Sequence, residues 1–449
     1  MKRKIYDRLL KWKQEESSAT AFLIDGARRV GKSYIAEEFA KSEYKSYVLI
    51  DFAKAPRAVK ALFEEYQDRL DVLFLKLSEY FGVRLYPRET LFIFDEVQQC
   101  PKARESIKHL VADGRYDYLE TGSLVSIDEN VEDIVIPSEE IRVKMYPMDF
   151  EEFLWAKGDG LTMDFVRDHY TKREPLGQLL HRKAMDVFRE YMIVGGMPQA
   201  VAEFVKSADL GKVDAVKRRI IKLYREDIRK HAGRYALKTE QVFDMIAAQL
   251  SRHEKKFRMA SLGENARMRE YEDAFLWLKE AMVVNVCYRS TEPSIGLGIN
   301  ADSSMLKCYA SDTGLLISLA FSERQMLAEQ IHKRLLFDSL ELNKGMLIEN
   351  VVAQMLTAAG YELYFFSSPC ENKSDRIEID FLMPAASIGR SHNIRPVEVK
   401  SSRRYDHTSL DKFRSKYRRN LSDSVVLHVK DMAEKDGTIY LPLYMAPLL

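Results

Sequence analysis

Along the first 145 residues, short unbroken apolar runs alternate with longer segments whose apolar positions recur at helical spacing. Runs of that length read as strands buried on both faces, and the spaced segments as amphipathic helices. The strands predicted are Phe22–Asp25, Tyr47–Phe52, Leu91–Asp95, Tyr116–Glu120 and Ile141–Tyr146. Their alternation with helices is the pattern of an α/β fold, a parallel sheet flanked by helices. From about Met148 to His231 the helical period takes over, interrupted by a turn at Gly195-Gly196-Met197-Pro198. Residues 236–320 read as helices over Thr239–Ser251, Met259–Ala266 and Met268–Val283, then a hairpin opened by Val284–Arg289. Glu292-Pro293 and Gly296/Gly298 supply its turn. From about residue 335 the predicted order is helix (Leu347–Ala359), three strands, helix (Thr408–Arg419) and two short strands. A polar, small-residue loop, Ala385–Asn393, joins the second and third of those strands. The implied domains are 1–147, a helical lid or connector at 148–235, then 236–320 and 335–449.

Composition narrows the partners. With 46% hydrophobic and 31% charged residues the chain has material for several buried cores. Lys plus Arg (69) nearly cancels Asp plus Glu (68), which excludes a uniformly basic coat for nucleic acid or anionic lipid and leaves local patches. No apolar run approaches the ~18 residues of a membrane span, so no membrane partner is expected. The opening MKRKIYDRLLKW has no apolar stretch behind its charges, so a secretory signal is not expected and the cytoplasm is. Cys100, Cys287, Cys308 and Cys370 stand far apart, and the nine histidines are dispersed. Neither a disulfide framework nor a zinc or histidine metal site follows from that spacing.

The sharpest chemistry lies at the end of the first strand. Phe22–Asp25 runs into Gly26-Ala27-Arg28-Arg29-Val30-Gly31-Lys32-Ser33, and Tyr34–Phe39 reads as a helix. This is a phosphate-cradling loop in its strand–loop–helix context, which makes ATP with Mg²⁺ the expected ligand. Gly26 and Gly31 let successive N–H groups turn toward phosphate oxygens at a helix N-terminus. Lys32 brings charge to the β- and γ-phosphates, and the Ser33 hydroxyl can ligate Mg²⁺. Leu91–Glu96 then ends a buried strand on two carboxylates. Asp95 is placed for the magnesium and Glu96 to polarise an attacking water. Thr121 and Ser123, at the end of another strand, could sense the γ-phosphate or cap a helix.

In these stretches the chain resembles the AAA-type P-loop ATPases of bacteria and archaea that carry a C-terminal domain of unknown function. GARRVGKS, LFIFDEVQQCP, LETGS and KMYPMDFEEFL match in that order, followed by GGMPQAV, KCYASDTGLL, KGMLIENVV, EIDFL and PVEVKSS. The resemblance covers nearly the whole chain. It implies a P-loop ATPase sheet with an additional strand and Glu96 as catalytic base. Two departures stand out: Arg29 where the family often has Gln, and Pro137-Ser138-Glu139-Glu140-Ile141-Arg142 where it has Gly-Arg. An arginine finger is therefore unassigned; Arg142 and Arg225 are candidates for which a structural or solvated role is the plainer reading.

Pattern and resemblance together make 236–320 winged-helix-like. Its third helix carries two basic against four acidic residues, which suits a structural or protein contact better than DNA. The basic segment Lys212–Lys238, ten Lys/Arg against three Asp/Glu, is the better electrostatic candidate, with Val213, Val216, Ile220, Leu223 and Ile228 as its buried stripe. In the tail, Glu349 on a helix, Asp380 on one strand and Glu398-Val399-Lys400 on the next resemble the order of the PD-(D/E)xK nuclease fold. Asp380, Glu398 and Glu349 would then share a divalent ion, with Lys400 activating water. Ile379 stands where the motif has proline. From Arg390 to Arg419 ten Lys/Arg oppose three Asp/Glu, with Tyr405, Phe413 and Tyr417 interleaved, either to stack on bases or to form a helix core. The leading expectation is an ATPase whose nucleotide state controls a nucleic-acid-directed, nuclease-like tail, with DNA or other nucleic acid and further copies of the chain as partners. Its rival is an ATP-driven switch or scaffold whose catalytically inactive tail binds a partner.

Overall fold

The computed structural model describes residues 1–122, 137–252, 255–321, 344–368, 376–385 and 393–449. Its contacts divide the chain into two units, Met1–Tyr146 with Glu280–Met282, and Pro147–Lys279 with Val283–Leu449.

In the first unit the apolar runs become β1 (Ala21–Asp25), β2 (Ser46–Asp51), β3 (Thr90–Asp95), β4 (Asp117–Gly122) and β5 (Glu140–Lys144). They form one parallel sheet in the order β2-β3-β4-β1-β5. The three inner strands are buried at every residue, whereas β2 and β5 are only partly so. This is why β1 and β3 read as apolar runs, while β4 buries Asp117, Glu120 and Thr121 as well. Phe52, Phe63 and Phe94 meet edge-on at centroid distances of 5.4–5.6 Å beneath the helices of this face. Because all strands run the same way, their carboxyl ends share one rim, where Asp25 lies beside Gly122 and Asp51 beside Asp95. That rim is where open α/β sheets bind ligands.

The second unit begins with helices at Phe150–Ala156, Thr162–Lys172, Gln178–Val194, Pro198–Ser207 and Leu210–His231. The first is closed by a capping box between Asp149 and Glu152. The Gly195-Gly196 turn admits no side chain: a Cβ on Gly195 would come within 2.3 Å of the Asp312 carboxylate, and one on Gly196 within 2.1 Å of the Met148 carbonyl. Asp312 itself caps the helix Thr313–Ala320 by accepting from Leu315 N at 2.8 Å.

Three helices differ from expectation. The basic helix stops at His231 because Gly233, with φ 48°, turns the chain before a new helix, Ala236–Leu250. Met259–Ala266 shrinks to a 3₁₀ turn at Met259–Ser261; Gly263 follows with φ 157°, and the stretch has few apolar anchors. Met268–Val283 splits at Tyr271 into a 3₁₀ turn, Met268–Glu270, and a helix, Glu272–Glu280, which ends early because Met282 adopts φ 54° to enter the next strand.

An eight-stranded mixed sheet completes this unit, in the order β12-β13-β11-β10-β9-β8-β6-β7. Its members are β6 (Val284–Ser290), β7 (Ala301–Ala310), β8 (Leu363–Ser367), β9 (Glu378–Pro384), β10 (Ile394–Val399), β11 (Ser424–His428), β12 (Ala433–Lys435) and β13 (Thr438–Pro442). The expected hairpin is present as antiparallel β6–β7, yet β6 also pairs in parallel with β8. The hairpin thus continues the tail's sheet. Three strands rather than two follow the helix Thr408–Lys416. The helix Lys344–Ala358, buried along most of its length, packs on β7, β8 and β10. Among the described residues no helix is long and apolar enough to cross a membrane.

Candidate functional site

The loop after β1 turns at Gly26, where a Cβ would stand 2.4 Å from the Met145 carbonyl. Gly31, with φ 100°, opens the helix Lys32–Glu43, and Arg29 is also left-handed at φ 71°. Ala27 and Val30 are buried, while the Arg28 and Arg29 side chains are exposed. Lys32 is buried, and its ammonium donates to the carbonyls of Gly26 (2.7 Å) and Ala27 (3.1 Å). Burial lowers its pKa, opposed by Glu96, Asp25 and Asp95. Arg3 braces the loop from outside: its guanidinium donates to Val30 O at 2.8 Å and Tyr146 O at 2.7 Å.

Asp95 gathers the hydroxyls. Its Oδ1 accepts from Ser33 Oγ at 2.6 Å and from Thr121 Oγ1. A hydroxyl and a carboxylate in direct reach beside the phosphate loop are a donor set suited to Mg²⁺. Glu96 adopts φ 55°, and its N–H donates to Thr121 Oγ1 at 3.4 Å. Its Oε2 accepts from Gln98 Nε2 at 2.6 Å. Ser123 lies outside the described residues. Neither arginine candidate is free in its own chain: Arg142 pairs with Glu140 at 2.9 Å and Arg225 with Asp244 at 2.8 Å.

A second group assembles in the tail, around a cleft of ≈ 400 Å³. Antiparallel β9–β10 pairing sets Val397 against Phe381, so the next pair outward is Asp380 and Glu398. Asp380 Oδ2 accepts from Val399 N at 2.9 Å, and Lys400 Nζ lies 3.0 Å from Glu398 Oε2. Glu349 reaches in from its helix. The cation among these carboxylates comes from β7: Lys307 Nζ is 3.0 Å from Glu349, 3.4 Å from Asp380 and 3.6 Å from Glu378. Lys255 and the Tyr309 hydroxyl also bond Glu349.

The electrostatics follow from this crowding. Burial alone would push the Glu349 carboxyl up, but Lys307 and Lys255 bring it down to about 2. Burial raises Asp380, with Glu349 adding to the rise. Burial pushes Glu398 to about 7 in spite of Lys400. For Lys307 burial favours the neutral amine, yet Glu349, Asp380 and Glu378 win and raise its pKa. Among the described residues no group of three or more His, Cys, Asp or Glu side chains is arranged to hold a metal ion.

Sequence reasoning named Glu349, Asp380, Glu398 and Lys400, and the structure brings them to one cleft. It missed Lys307, Lys255, Gln98 and Arg3. The one signal for Lys307 was a lysine in an otherwise apolar strand, Leu306-Lys307-Cys308-Tyr309.

Comparison with known proteins adds three family matches. Residues 18–154 match the AAA domain, 185–326 a domain of unknown function (DUF8612) and 344–445 another domain of unknown function (DUF4143). No curated protein matches the chain. Among solved structures, C. elegans PCH-2 is similar at 15% identity over 48% of this chain and 65% of that one, with a TM-score of 0.26. The chain thus spans just under two thirds of that relative. Cdc6p from Pyrobaculum aerophilum matches at 11% identity, 75% and 93% coverage and a TM-score of 0.25. Drosophila ORC, in a structure bound to DNA, matches at 14% identity, 71% and 96% coverage and a TM-score of 0.29. The AAA match encloses the phosphate loop, the Asp95-Glu96 pair and Thr121, so residues 18–154 carry an AAA-type domain.

Proposed function

We propose that the protein binds ATP with magnesium, hydrolyses it at the β1 loop, and uses its nucleotide state to control a C-terminal cleft directed at nucleic acid. The convergence of Lys32, Ser33, Asp95, Thr121 and Glu96 on one sheet rim carries this reading. Lys32 exchanges the carbonyls of Gly26 and Ala27 for the β- and γ-phosphate oxygens. Ser33 and Asp95 would hold the magnesium, which when bound supplies charge neutralisation to the phosphates. Glu96 accepts the proton of the attacking water as its oxygen bonds to the γ-phosphorus. The bond to the β–γ bridging oxygen breaks, ADP leaves with that electron pair, and phosphate is the second product. Gln98 holds the Glu96 carboxylate through Oε2, which orients it and leaves Oε1 for that proton transfer.

For the tail two readings differ in chemistry. In the first, Asp380, Glu398, Glu349 and Lys400 cut a phosphodiester; in the second, the cleft binds without cutting and the protein is an ATP-driven switch or scaffold. Lys307 among the carboxylates favours the second. The test is ATP turnover together with binding and cleavage of DNA and RNA in Mg²⁺ or Mn²⁺. Hydrolysis with nucleotide-dependent binding is expected; cleavage lost in Lys400→Ala would restore the first reading. Hydrolysis without any nucleic-acid binding would end the nucleic-acid reading of the cleft and leave the ATP-driven switch or scaffold that binds another partner.

A further inference from the structure

A nuclease-type cleft needs a divalent ion where its carboxylates converge, and here that place is taken by part of the protein. Lys307 lies on β7 with its side chain 1% exposed, within 3.0–3.6 Å of Glu349, Asp380 and Glu378. Its described neighbours on the other sides are apolar or backbone. Its strand partner Cys287 is buried, the Phe365 ring centroid is 5.2 Å from Nζ, and the 255–257 segment runs along the outer edge of β7. Withdrawing the ammonium would bury it against apolar groups without a counter-charge, which is costly.

The charge balance points the same way. Among the described residues Glu349, Glu378, Asp380 and Glu398 face Lys255, Lys307, Arg376 and Lys400 around the cleft, four carboxylates against four cations. A dication entering this set finds no unneutralised charge and meets an ammonium at contact range. Magnesium also demands near-octahedral oxygen ligands at ~2.0–2.1 Å, and two of the oxygens nearest the centre are already bonded to Lys307. The sequence motif survives while its metal chemistry does not fit.

We propose that Lys307 is the cleft's permanent cation, standing in place of a divalent metal, so that the tail engages a phosphodiester backbone independently of metal. The second clause rests on the nucleic-acid reading above; the first does not. The test separates them by titrating Mn²⁺ into full-length protein without nucleotide or nucleic acid and counting bound ion by electron paramagnetic resonance. Wild type, Asp380→Asn and Glu398→Gln should bind Mn²⁺ identically. Lys307→Met should gain one Mn²⁺ per chain, lost again when Asp380→Asn is added. A wild-type Mn²⁺ that disappears in Asp380→Asn would overturn the proposal. So would a Lys307→Met protein with wild-type circular dichroism that gains none. If that variant does not fold, the comparison of wild type with Asp380→Asn and Glu398→Gln decides alone. A separate DNA-binding assay on nucleotide-free protein, where EDTA takes no magnesium from the ATP site, addresses the second clause: the DNA bound should be the same with and without EDTA, and its loss in EDTA would refute the clause.

Discussion

Replacing Lys307 by Met keeps the length and apolar stem of the side chain and removes only the ammonium. Glu349 and Asp380 are then left facing each other across a buried cleft. The cost can be worked from Glu349. Its carboxyl is held at about 2 against an ordinary 4.5, against burial, by Lys307 together with Lys255 and the Tyr309 hydroxyl, so the whole shift is an upper bound on what Lys307 contributes through Glu349. At ~1.4 kcal/mol for each tenfold change in proton affinity, that is about 3 kcal/mol. Breaking a buried ion pair by removing one partner costs ~3–5 kcal/mol, which agrees. For a unit of this size such a loss lowers Tm by ~5 °C at pH 7. The depressed carboxylate contributes stability that is present above pH 4.5 and is lost as pH falls toward 2. The gap between wild type and Lys307→Met should therefore narrow below pH 4.5. Thermal unfolding by circular dichroism at pH 7 and pH 4 measures both. A Tm at pH 7 within ~2 °C of wild type, or a gap that does not change with pH, would refute the reasoning.

Glu398, raised to about 7 by burial, behaves in the opposite sense. Its protonated form is favoured in the folded state, so it stabilises below pH 4.5 and that contribution fades as pH rises through 7. Glu398→Gln should flatten this decline, seen as a smaller loss of Tm between pH 5 and pH 8 than in wild type; an unchanged slope would contradict it. Arg3→Ala removes two charge-assisted hydrogen bonds from the frame of the phosphate loop, to Val30 O and Tyr146 O. At ~1.5–3 kcal/mol for such a bond, ATP affinity by calorimetry should fall at least tenfold, and wild-type affinity would show that the loop needs no brace. Gln98→Ala frees the Glu96 carboxylate, so kcat should change while the Kd for ATP stays put; a change confined to Kd would contradict its positioning role.

What could be read from the chain follows from how local each feature is. β1 and β3 are buried on both faces, so each appears as an apolar run ending at the rim, whereas β4, equally buried, shows only Tyr118-Leu119 between Asp117 and Glu120. The phosphate loop is contiguous, and its residues meet because one strand enters and one helix leaves. Asp380 and Glu398 could be paired because antiparallel neighbours with a short connection face each other. Lys307 could not. It arrives through the parallel pairing of β6 with β8, strands separated by more than seventy residues, and a strand lysine reads as exposed until its neighbours are known. The early end of the helix expected over Met268–Val283 was hidden because its apolar spacing fits a helix, while the stop is made by the backbone of Met282. β12 was missed because Ala433–Lys435 is exposed throughout and has no apolar pattern.

The central claim, hydrolysis of ATP at the β1 loop with Glu96 as base, is tested most directly by trapping. Purified wild type, Lys32→Ala and Glu96→Gln are each incubated with Mg²⁺ and γ-labelled ATP, and bound nucleotide and released phosphate are followed together. Glu96→Gln keeps the side chain's shape and its reach to Gln98 but cannot take the proton. It should bind ATP as wild type does and release phosphate on the order of 10²–10⁴ times more slowly. Lys32→Ala should fail at the earlier step and retain little nucleotide. Wild-type phosphate release from Glu96→Gln, or undiminished ATP binding by Lys32→Ala, would contradict the account.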